Sequence, residues 1–399
     1  MRFAIISDSF LPETSSAAIQ LTDLSKEFIR QKKEVIVFVP DSTLKKSYKL
    51  DNFEEITIIR LKVFNIKSKN LILRAINEFL MPFLMIRNLK KIIDRPDLQK
   101  FNGIIWYSPS IFLGPLVNKL KKNSKCKTYL ILRDIFPEWA LDLKLLKKGP
   151  IYFFFKTIAF YQYSLADTIG IQSSGNKIYF KKWIKKAGRK LEVLDNWLEE
   201  VPSYVEKLNT DNNFFKNKKI FIHAGNTGLA QGINLILDLI KEFKNDDSIG
   251  FVFVGKEKNM HFIKKYIYKN DLKNILILDE VDPKFIPSLY KECFAGIVSL
   301  DIKHKTHNIP GKFISYLNSG LPVLAAINKG NDLENLITEN KIGYVSTGNN
   351  LKKLKKTLIK LIDNEFQVNY YKNSKDLFYE KFTSNIAAKK ILNSFFNRD

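Results

Sequence analysis

The segment that first invites a chemical interpretation is KTHNIPGKFISYLNSGLPVLA, residues 305–325. A Pro310-Gly311 turn leads into a short helical pattern and then into an apolar run, and Lys312 stands at the predicted start of the helix. Helix N-termini favour acids, so a lysine there is misplaced unless an anion lies between its ammonium group and the helix terminus. The segment contains no carboxylate. We therefore predict an anion-binding turn, with a solvated lysine as the alternative.

A second stretch with glycines, HAGNTGLAQGINLILDLIKEF at 223–243, follows an apolar run directly and opens a helical pattern. Gly225 and Gly228 allow a tight turn, and N–H groups at a helix start can hold an anion. The spacing is not that of a Walker loop, because no Gly-Lys-Ser/Thr follows, and it is not the GxGxxG fingerprint. The stretch indicates a phosphate contact, and an ordinary strand-to-helix loop is the alternative.

A third candidate is RDIFPEWA, residues 133–140, which follows the apolar run TYLILR. It places Arg133, Asp134 and Glu138 where a strand ends, and the acid–base groups of α/β enzymes collect at that edge of the sheet. An ion pair followed by a Pro-Glu helix start explains the same spacing without any catalysis. Both interpretations stay open from the residues alone.

The potential metal ligands are few and scattered. His304 and His307 have i, i+3 spacing, but neither Asp301 nor Cys293 completes a set of ligands, so we predict no metal site. Cys126 and Cys293 are far apart in the sequence, which suits a reducing cytoplasm and argues against a disulfide framework. Neither a GxSxG elbow nor an HExxH motif occurs.

Short apolar runs alternate with helical patterns along most of the 399 residues. Runs that are apolar on successive residues are typical of parallel strands covered on both faces. The sequence therefore predicts an α/β protein with two successive parallel sheets, each binding ligands at the carboxyl ends of its strands. The runs are 3–7, 34–40, 56–61, 103–108, 128–133 and 168–173, then 220–225, 250–255, 274–280, 294–300 and 322–326.

The pattern pauses at a polar stretch near residue 200, which marks a domain boundary. We predict an N-terminal Rossmann-like domain over 1–200, a linker over 201–217 and a second Rossmann-like domain over 218–377. The remaining residues, 378–399, have helical periodicity and either cap the second domain or cross back to the first.

The charge of the chain is unusual, with 65 Lys and Arg against 41 Asp and Glu, or +24 formally. Such an excess indicates anionic partners, namely nucleic acid, phospholipid head groups or phosphorylated small molecules. Lysines on a solvated face without any partner are the alternative.

No apolar run approaches the roughly 20 residues that cross a bilayer. The N-terminus resembles a signal peptide for only a few residues, since Asp8 comes early and no cleavage site follows, so we expect a first strand there. The segment 71–91 mixes apolar and basic residues, which is compatible with docking on a membrane surface. A core helix interrupted by Pro82 is the equal alternative.

Taken together, the ordered motifs resemble bacterial family-4 glycosyltransferases, which have the two-domain GT-B fold. The resemblance covers nearly the whole chain and is closest to enzymes that add N-acetyl-L-fucosamine during O-antigen or capsule assembly. It implies two Rossmann-like domains facing across a cleft. The motifs are SDSFLPETSSAAIQLTDLSKEF, LRDIFPEWA, IGIQSSGNKIYF, VLDNW, HAGNTGLAQGINLIL and SLDIKHKTHNIPGKFISYLNSGLPVLAAINKGNDL.

The resemblance implies that a UDP-sugar binds in the C-terminal domain. Gly225, Asn226 and Gly228 would approach the diphosphate, Lys312 would neutralise it, and Gly255 would lie beside the base. The other residues expected on the donor side are Asn308, Pro310, Gly311 and Ser315.

The resemblance also implies an acceptor, a polyprenyl-diphosphate-linked sugar such as GlcNAc, which would enter across the first domain. Ser15 and Ser16 would contact it, beside the loop of Arg133 and Asp134. Such an acceptor would hold the enzyme peripherally on the inner face of the bacterial cytoplasmic membrane. No cofactor is expected, because the family transfers the sugar with retention of configuration and without an obligatory metal.

The sequence departs from the family pattern at two single positions and in one short segment. Glutamates are usual where His307 and Ser315 stand, and the second normally holds the nucleotide ribose. Thr227 to Gln231 replace a common arginine and lysine. His307 takes the place of the first acid as a catalytic candidate, together with Arg133, Asp134 and Glu138.

Two other functions compete with the transferase. An epimerase of GT-B shape would also bind a nucleotide sugar but needs no lipid acceptor. A nucleic-acid-binding protein would fit the charge, yet the sequence carries no helix-turn-helix, zinc or RNA-binding signature. We therefore predict a glycosyltransferase that does not bind nucleic acid.

Overall fold

The computed structural model describes residues 1–68, 70–92, 100–201, 206–208, 212–228, 231–279, 281–303, 305, 307 and 309–396. The chain forms two compact units. Unit 1 comprises Met1–Leu198 and Ser384–Asp399, and unit 2 comprises Glu199–Thr383.

Unit 1 is built on an eight-stranded sheet of order β3-β4-β2-β1-β5-β6-β7-β8. All neighbouring strands are parallel except β3, which runs antiparallel to β4 at the edge. The strands are β1 Arg2–Ile6, β2 Glu34–Asp41, β3 Tyr48–Phe53, β4 Ile56–Lys62, β5 Gly103–Ser108, β6 Lys127–Leu132, β7 Thr168–Ile171 and β8 Lys190–Val193.

Helices cover both faces of this sheet, so its central strands are buried on successive residues, as the apolar runs predict. The C-terminal helix packs in unit 1: Asn385 Nδ2 donates to Glu27 Oε1 (2.6 Å), and the rings of Phe395 and Phe3 lie 5.3 Å apart. The helices are α1 Ser16–Arg30, α2 Leu71–Leu89, α3 Gly114–Ser124, α4 Glu138–Asp142, α5 Pro150–Ser164 and α14 Ser384–Phe396.

Unit 2 has a six-stranded parallel sheet of order β11-β10-β9-β12-β13-β14, in which the chain winds outward from β9 in one direction and then from β12 in the other. This is the doubly wound Rossmann order. The strands are β9 Lys219–Ala224, β10 Ile249–Val254, β11 Ile275–Leu278, β12 Ala295–Ser299, β13 Val323–Ile327 and β14 Gly343–Thr347.

The core of unit 2 lies between the sheet and the apolar faces of helices such as α7, whose Ile236, Leu237 and Ile240 are fully buried. The helices are α6 Asn212–Phe215, α7 Ile233–Glu242, α8 Glu257–Asn270, α9 Ile286–Lys291, α10 Gly311–Asn318, α11 Asp332–Glu339, α12 Leu351–Asp363 and α13 Tyr370–Lys381.

Several boundaries differ from the predicted ones. Residues 212–217 were predicted as linker, but they contain α6 and belong to unit 2. The segment 378–399 holds the end of α13, in unit 2, and then α14, in unit 1. α2 is not interrupted at Pro82, because the buried side chains of Met81 and Met85 anchor the helix on both sides of the proline.

None of the helices in the described part of the chain combines the length and apolarity that a bilayer crossing requires.

Candidate active site

In unit 2, β9 and β12 are adjacent strands from which the chain winds in opposite directions. Loops at the carboxyl ends of two such strands diverge and leave a crevice, which is where open α/β sheets bind ligands. The loop from β9 to α7 carries Gly225, Asn226 and Gly228, and the loop from β12 leads to α10 and Lys312. The two stretches singled out in the sequence thus meet at the switch point of this sheet.

Two glycines bring backbone segments together here. Gly225 has φ +107°, a conformation that side chains rarely allow, and its N–H donates to the carbonyl of Val254 (2.8 Å). A Cβ on Gly255 would lie 2.9 Å from the Gly225 carbonyl oxygen, so the turn after β10 approaches the turn after β9 closely. Gly228 continues the turn by donating its N–H to Asn226 Oδ1 (2.9 Å). Predicted donor residues 225, 226, 228 and 255 therefore form one local structure.

Lys312, in the first turn of α10, reaches back to the β9–α7 loop. Its Nζ lies 2.6 Å from His223 Nε2, 2.9 Å from Gln231 Oε1 and 3.5 Å from the carbonyl oxygen of Asn226. None of these three partners is a carboxylate. Burial lowers the pKa of Lys312 to about 7, since the ammonium gives up water and gains neutral partners.

His223 is the last but one residue of β9 and is fully buried, with its ring stacked on Phe253 at 5.2 Å between centroids. Burial and the neighbouring Lys312 hold the pKa of His223 well below its usual range, so the ring is neutral. Its Nε2 accepts from the ammonium form of Lys312, which puts the ring proton on Nδ1, and Nδ1 has no partner among the described residues. His223 therefore positions Lys312 without neutralising it.

The N-terminus of α10 is not capped by a side chain. Pro310 precedes the helix in an extended conformation and accepts from the N–H of Phe313 (3.0 Å), so the N–H groups of Gly311 and Lys312 are the first-turn donors that an anion could use. The Ser315 hydroxyl donates to the carbonyl of Gly311 (3.2 Å), which leaves its oxygen lone pairs, but not its proton, for a ligand.

His307 is held at the start of α11. Its Nδ1 lies 3.2 Å from the backbone nitrogen of Asp332 and 3.0 Å from Asp332 Oδ1. The resemblance expects a glutamate at position 307. The histidine found there lies against the carboxylate of Asp332 instead. Asn308, a predicted donor contact, and His304 lie outside the described residues.

Unit 1 has a cavity of about 220 Å3 at its own switch point, where charged and hydroxyl-bearing side chains line it together with Ala17, Ile66, Met81 and Pro109. Both predicted acceptor residues belong to this edge, where Ser15 lines the cavity and Ser16 begins α1. The charged side chains that line the cavity are Asp8, Glu13, Lys67, Arg74 and Glu78.

Hydrogen bonds order the loop from β1 to α1. Ser15 caps α1 by accepting from the N–H of Ala18 (3.3 Å), and its hydroxyl lies 2.6 Å from that of Ser9. Ser9 donates to Glu13 Oε2 (2.7 Å), and Glu13 forms an ion pair with Lys67. Ser15 therefore has a structural role as a helix cap in addition to its place in the cavity wall.

Asp8 is the carboxyl group whose ionisation is most perturbed in this cavity. Burial, followed by the charge of Glu78, raises its pKa to about 6. Glu78 itself accepts from Arg74 Nε (2.7 Å). The cavity thus combines hydrogen-bond acceptors, two cations and one carboxyl group that titrates near neutrality.

The predicted catalytic residues in and after the loop that follows β6 have different surroundings. Arg133 is buried against Trp197 and donates to the carbonyls of Leu194 (2.6 Å) and Asp195 (3.3 Å), so it anchors the segment after β8. Glu138 begins α4 directly after Pro137, as the Pro-Glu alternative expects, and it pairs with Lys156 at 3.0 Å, a partner that the sequence did not indicate.

Asp134 is partly buried and lies two residues beyond the end of β6. Burial is the main cause that raises the pKa of Tyr107 to about 12, and the charges of Arg133, Asp134 and Asp8 also act on it. The Arg133–Asp134 loop and Asp8 therefore lie within electrostatic range of the same phenol.

Sequence reasoning missed the partners of these residues. A histidine in the otherwise apolar strand IFIHAG, directly before the glycine turn, was the available signal for His223. Asp8 had a similar signal, as the first charged residue after FAIIS. Lys67, Arg74 and Glu78 gave none, since they belong to segments far from β1 in the sequence.

No group of three His, Cys, Asp or Glu side chains that could hold a metal ion occurs within the described ranges. The anion-binding geometry of unit 2 is made of backbone N–H groups and one lysine, and the prediction that no metal is required stays a prediction.

Comparison with known families places a model described as "Glycosyl transferases group 1" on residues 205–377, which span the whole sheet of unit 2. These residues are a glycosyl transferases group 1 domain. The prediction of a glycosyltransferase is thus supported for this domain, which includes Lys312 and its partners.

Two bacterial relatives share part of the sequence. The chain is 25% identical to "Probable glycosyltransferase WbjE" of Pseudomonas aeruginosa over 224 residues, 55% of each chain. It is 24% identical over 200 residues to "Putative colanic acid biosynthesis glycosyl transferase WcaI" of Escherichia coli, which is 48% of this chain and 49% of the relative. The chain spans about half the length of the curated relatives it matches.

Solved structures share the fold over nearly the whole length. Sucrose-phosphate synthase of Thermosynechococcus elongatus has a TM-score of 0.77 at 11% identity, with 98% of this chain and 97% of that chain covered. HepE of Anabaena, solved with UDP and glucose, has a TM-score of 0.65 at 13% identity, with 99% of both chains covered. The predicted fold class, α/β of GT-B type with two Rossmann-like domains, is confirmed.

Proposed function

We propose that the protein transfers a sugar from a UDP-sugar to a polyprenyl-diphosphate-linked acceptor during assembly of a bacterial surface polysaccharide. The observation that carries this proposal is the site around Lys312, where a lysine with neutral partners lies beside a close-packed glycine turn. That combination suits a diphosphate, which needs positive charge, backbone N–H groups and room for its oxygens.

The donor is assigned to unit 2. An anion beside Lys312 would restore the charge that burial disfavours, and the uncapped N-terminus of α10 would add backbone donors. HepE, which shares the fold, has been solved with UDP-glucose as well as with UDP and glucose. The role of Ser315 would be to accept a hydrogen bond from a ribose hydroxyl, since its own proton is given to Gly311.

The acceptor sugar is assigned to the cavity of unit 1. Carboxylates such as Asp8 and Glu13 accept hydrogen bonds from sugar hydroxyls, and Arg74 and Lys67 offer charge to acceptor phosphates. The names of the two relatives concern glycosyl transfer, and that of WcaI concerns colanic acid biosynthesis. They support a polysaccharide acceptor, and the resemblance to N-acetyl-L-fucosamine transferases supports that sugar on the donor.

The mechanism follows from charge. As the bond to the anomeric carbon breaks, negative charge grows on the departing diphosphate, and fixed donors stabilise it without reorganisation. Lys312 is such a donor because His223 and Gln231 hold its ammonium in place. The proposal includes retention of configuration, no metal requirement, and work at the inner face of the cytoplasmic membrane.

In the acceptor cavity, Asp8 would orient the attacking hydroxyl by accepting its hydrogen bond. This role needs the carboxylate form, so it is available above the pKa of about 6 and is lost as the pH falls through that value. Asp134 and His307 remain candidates for proton transfer, whereas the buried Arg133 and the paired Glu138 act through the structure around them.

The test is to incubate the enzyme with a panel of UDP-sugars and lipid-diphosphate-linked GlcNAc, and to identify the products by mass spectrometry. The proposal predicts one lipid-linked disaccharide, with UDP-N-acetyl-L-fucosamine as the preferred donor. A free sugar isomer formed without acceptor would show an epimerase instead. No turnover with any UDP-sugar, by protein that nevertheless folds, would contradict the proposal.

A further inference from the structure

One face of α2 is apolar and exposed. Ile72, Ile76, Phe79 and Phe83 follow one another at helical spacing, and each exposes between 40% and 74% of its surface. The opposite face, with Met81 and Met85, is buried in the core of unit 1. α2 therefore satisfies both sequence interpretations, because it is a core helix on one side and carries an apolar stripe on the other.

The solvent-facing side of α5 is also apolar. Ile151, Phe153, Phe154 and Phe160 expose between 49% and 63% of their surfaces. The only charged residue in the helix is Lys156, which is paired with Glu138. A surface helix normally turns charged residues to water, so an exposed face without any is unusual.

The two apolar faces form one surface. The ring of Phe79 on α2 lies 6.1 Å from that of Phe154 on α5 and 5.9 Å from that of Phe83. The aromatic surface, as we call the exposed side chains of α2 and α5, therefore continues from one helix to the other. Contiguous exposed apolar area of this kind marks an interaction site.

Basic segments flank the aromatic surface at both ends of α5. At its N-terminus the preceding loop carries exposed Lys144, Lys147 and Lys148. Its C-terminal end contacts the segment 177–189, since Trp183 Nε1 donates to the carbonyl of Tyr163 (2.7 Å). That segment contains no acid, and its cations are Lys177, Lys181, Lys182, Lys185, Lys186 and Arg189.

We propose that the aromatic surface and its two basic flanks dock unit 1 on an anionic lipid bilayer. The phenylalanine rings enter the boundary between head groups and acyl chains, and the lysines at both ends of α5 bind lipid phosphates. α5 is roughly 22 Å long, so a helix lying flat places its cations at two separate groups of head groups. This inference deepens the proposed function by naming the surface that meets the lipid. The docking itself is argued from the exposed rings and lysines, and the proposed function explains only why the protein would need to dock.

The charge decides against a second copy of the chain as the occupant. A symmetric dimer through this face would bring the lysines of both copies together, and like charges at an interface are repulsive. A bilayer with anionic head groups satisfies the rings and the lysines at once.

The test is co-sedimentation of the full chain with vesicles of phosphatidylcholine, with and without phosphatidylglycerol. We expect binding to the anionic vesicles that weakens at high salt, and little binding to the neutral ones. Phe153→Ser with Phe154→Ser should lower the partition coefficient about ten-fold or more. The matched control, Tyr268→Ser with Phe366→Ser at the two nearly fully exposed aromatics of unit 2, should leave it unchanged.

The contribution of the lysines to membrane binding is tested separately. Lys181→Gln with Lys182→Gln should lower binding by about ten-fold or more, since each lysine near an anionic surface contributes about five-fold. Lys352→Gln with Lys356→Gln, two exposed lysines on α12 of unit 2, should have no effect. Equal binding to neutral and anionic vesicles, or equal binding by the variants and the wild type, would overturn the proposal.

A third measurement uses variants that are not expected to weaken membrane binding. Phe153→Trp should shift its emission to the blue and be quenched by brominated lipids, whereas Phe366→Trp should not. Self-association in the absence of lipid that disappears in the Phe153→Ser, Phe154→Ser variant would show a second copy and contradict the lipid assignment. UDP binding measured on the same variants should stay unchanged, so a failure of docking and a failure of the transferase proposal are told apart.

Discussion

The two units place opposite chemistry at the same position of the same kind of sheet. At the switch point of unit 1 the cavity is lined by Asp8, Glu13 and Glu78 with two cations. At the switch point of unit 2, Lys312 has only neutral partners. The doubly wound sheet thus supplies the crevice in both units, and the proposed function assigns hydroxyl binding to the loop residues of one and diphosphate binding to those of the other.

Among the helices that follow the switch-point strands, only α1 has a side-chain cap. Ser15, which precedes α1, accepts from a first-turn N–H group, whereas the residues before α3, α7 and α10 make no side-chain cap. Uncapped N–H groups remain available to an anion, and capped ones do not. Both units therefore offer uncapped helix starts at their switch points, and the assignment of the diphosphate to unit 2 rests on Lys312.

The largest effect that would sharpen this comparison is the pH dependence of UDP binding. Burial sets the pKa of Lys312 near 7 in the ligand-free protein, and a bound diphosphate raises it, since the anion favours the ammonium form. Affinity is therefore complete below pH 7 and falls by up to about ten-fold per pH unit above it. Calorimetry between pH 6 and 9 measures this decline.

His223 does not contribute to that decline, because burial and the neighbouring Lys312 hold its pKa well below the usual value of a histidine and the ring stays neutral. The matched variant is Lys312→Met, whose weaker binding should be independent of pH from pH 7 to 9, where the terminal phosphate of UDP, with a second pKa of about 6, is fully ionised. A decline of equal slope in Lys312→Met would assign the titration to another group.

A smaller effect is expected from Asp8→Asn in the cavity of unit 1. The amide keeps the shape of the side chain but loses the negative charge that strengthens its hydrogen bond from the hydroxyl of the sugar acceptor. We therefore expect about a ten-fold rise in the KM for the lipid-linked acceptor. Steady-state kinetics with the acceptor varied measures it, and Glu55→Gln, an exposed carboxylate of the same unit, is the control. If Asp8→Asn changed only the KM for the UDP-sugar, the two sites would have to be exchanged.

The smallest effect concerns metal. Because Lys312 and backbone N–H groups supply the positive charge in unit 2, the transfer rate should change by less than about two-fold when EDTA is added. Loss of activity that magnesium restores would show that a cation, rather than the lysine, stabilises the departing diphosphate.

The sequence predicted those features whose signals are local. Apolar runs identified most strands, and glycine turns with a lysine at a helix start predicted residues that the structure brings together in unit 2, because each signal lies within a few residues. β8 gave no such run, since its residues are only partly buried. Pro82 misled the interpretation of α2, because packing of the helix into the core overrides the local preference of proline.

The partners of the site residues were beyond local reasoning. Lys312 meets His223 across 89 positions of sequence and Gln231 across 81, and only the parallel crossovers of the sheet bring them together. The same holds for Asp8 and Glu78 in unit 1. Side chains that converge in this way have no common sequence pattern, so spacing could not reveal them.

The central claim, that unit 2 binds the nucleotide diphosphate through Lys312, is tested most directly by titrating UDP into three variants in a calorimeter. We predict that Lys312→Ala weakens UDP binding by about 1.5–3 kcal/mol, the value of a charge-assisted contact, at a pH at or below 7. Lys269→Ala, an exposed lysine of the same unit, and Asp8→Asn in unit 1 should bind UDP like the wild type. Unchanged UDP affinity in Lys312→Ala, or weakening by Asp8→Asn instead, would contradict the account.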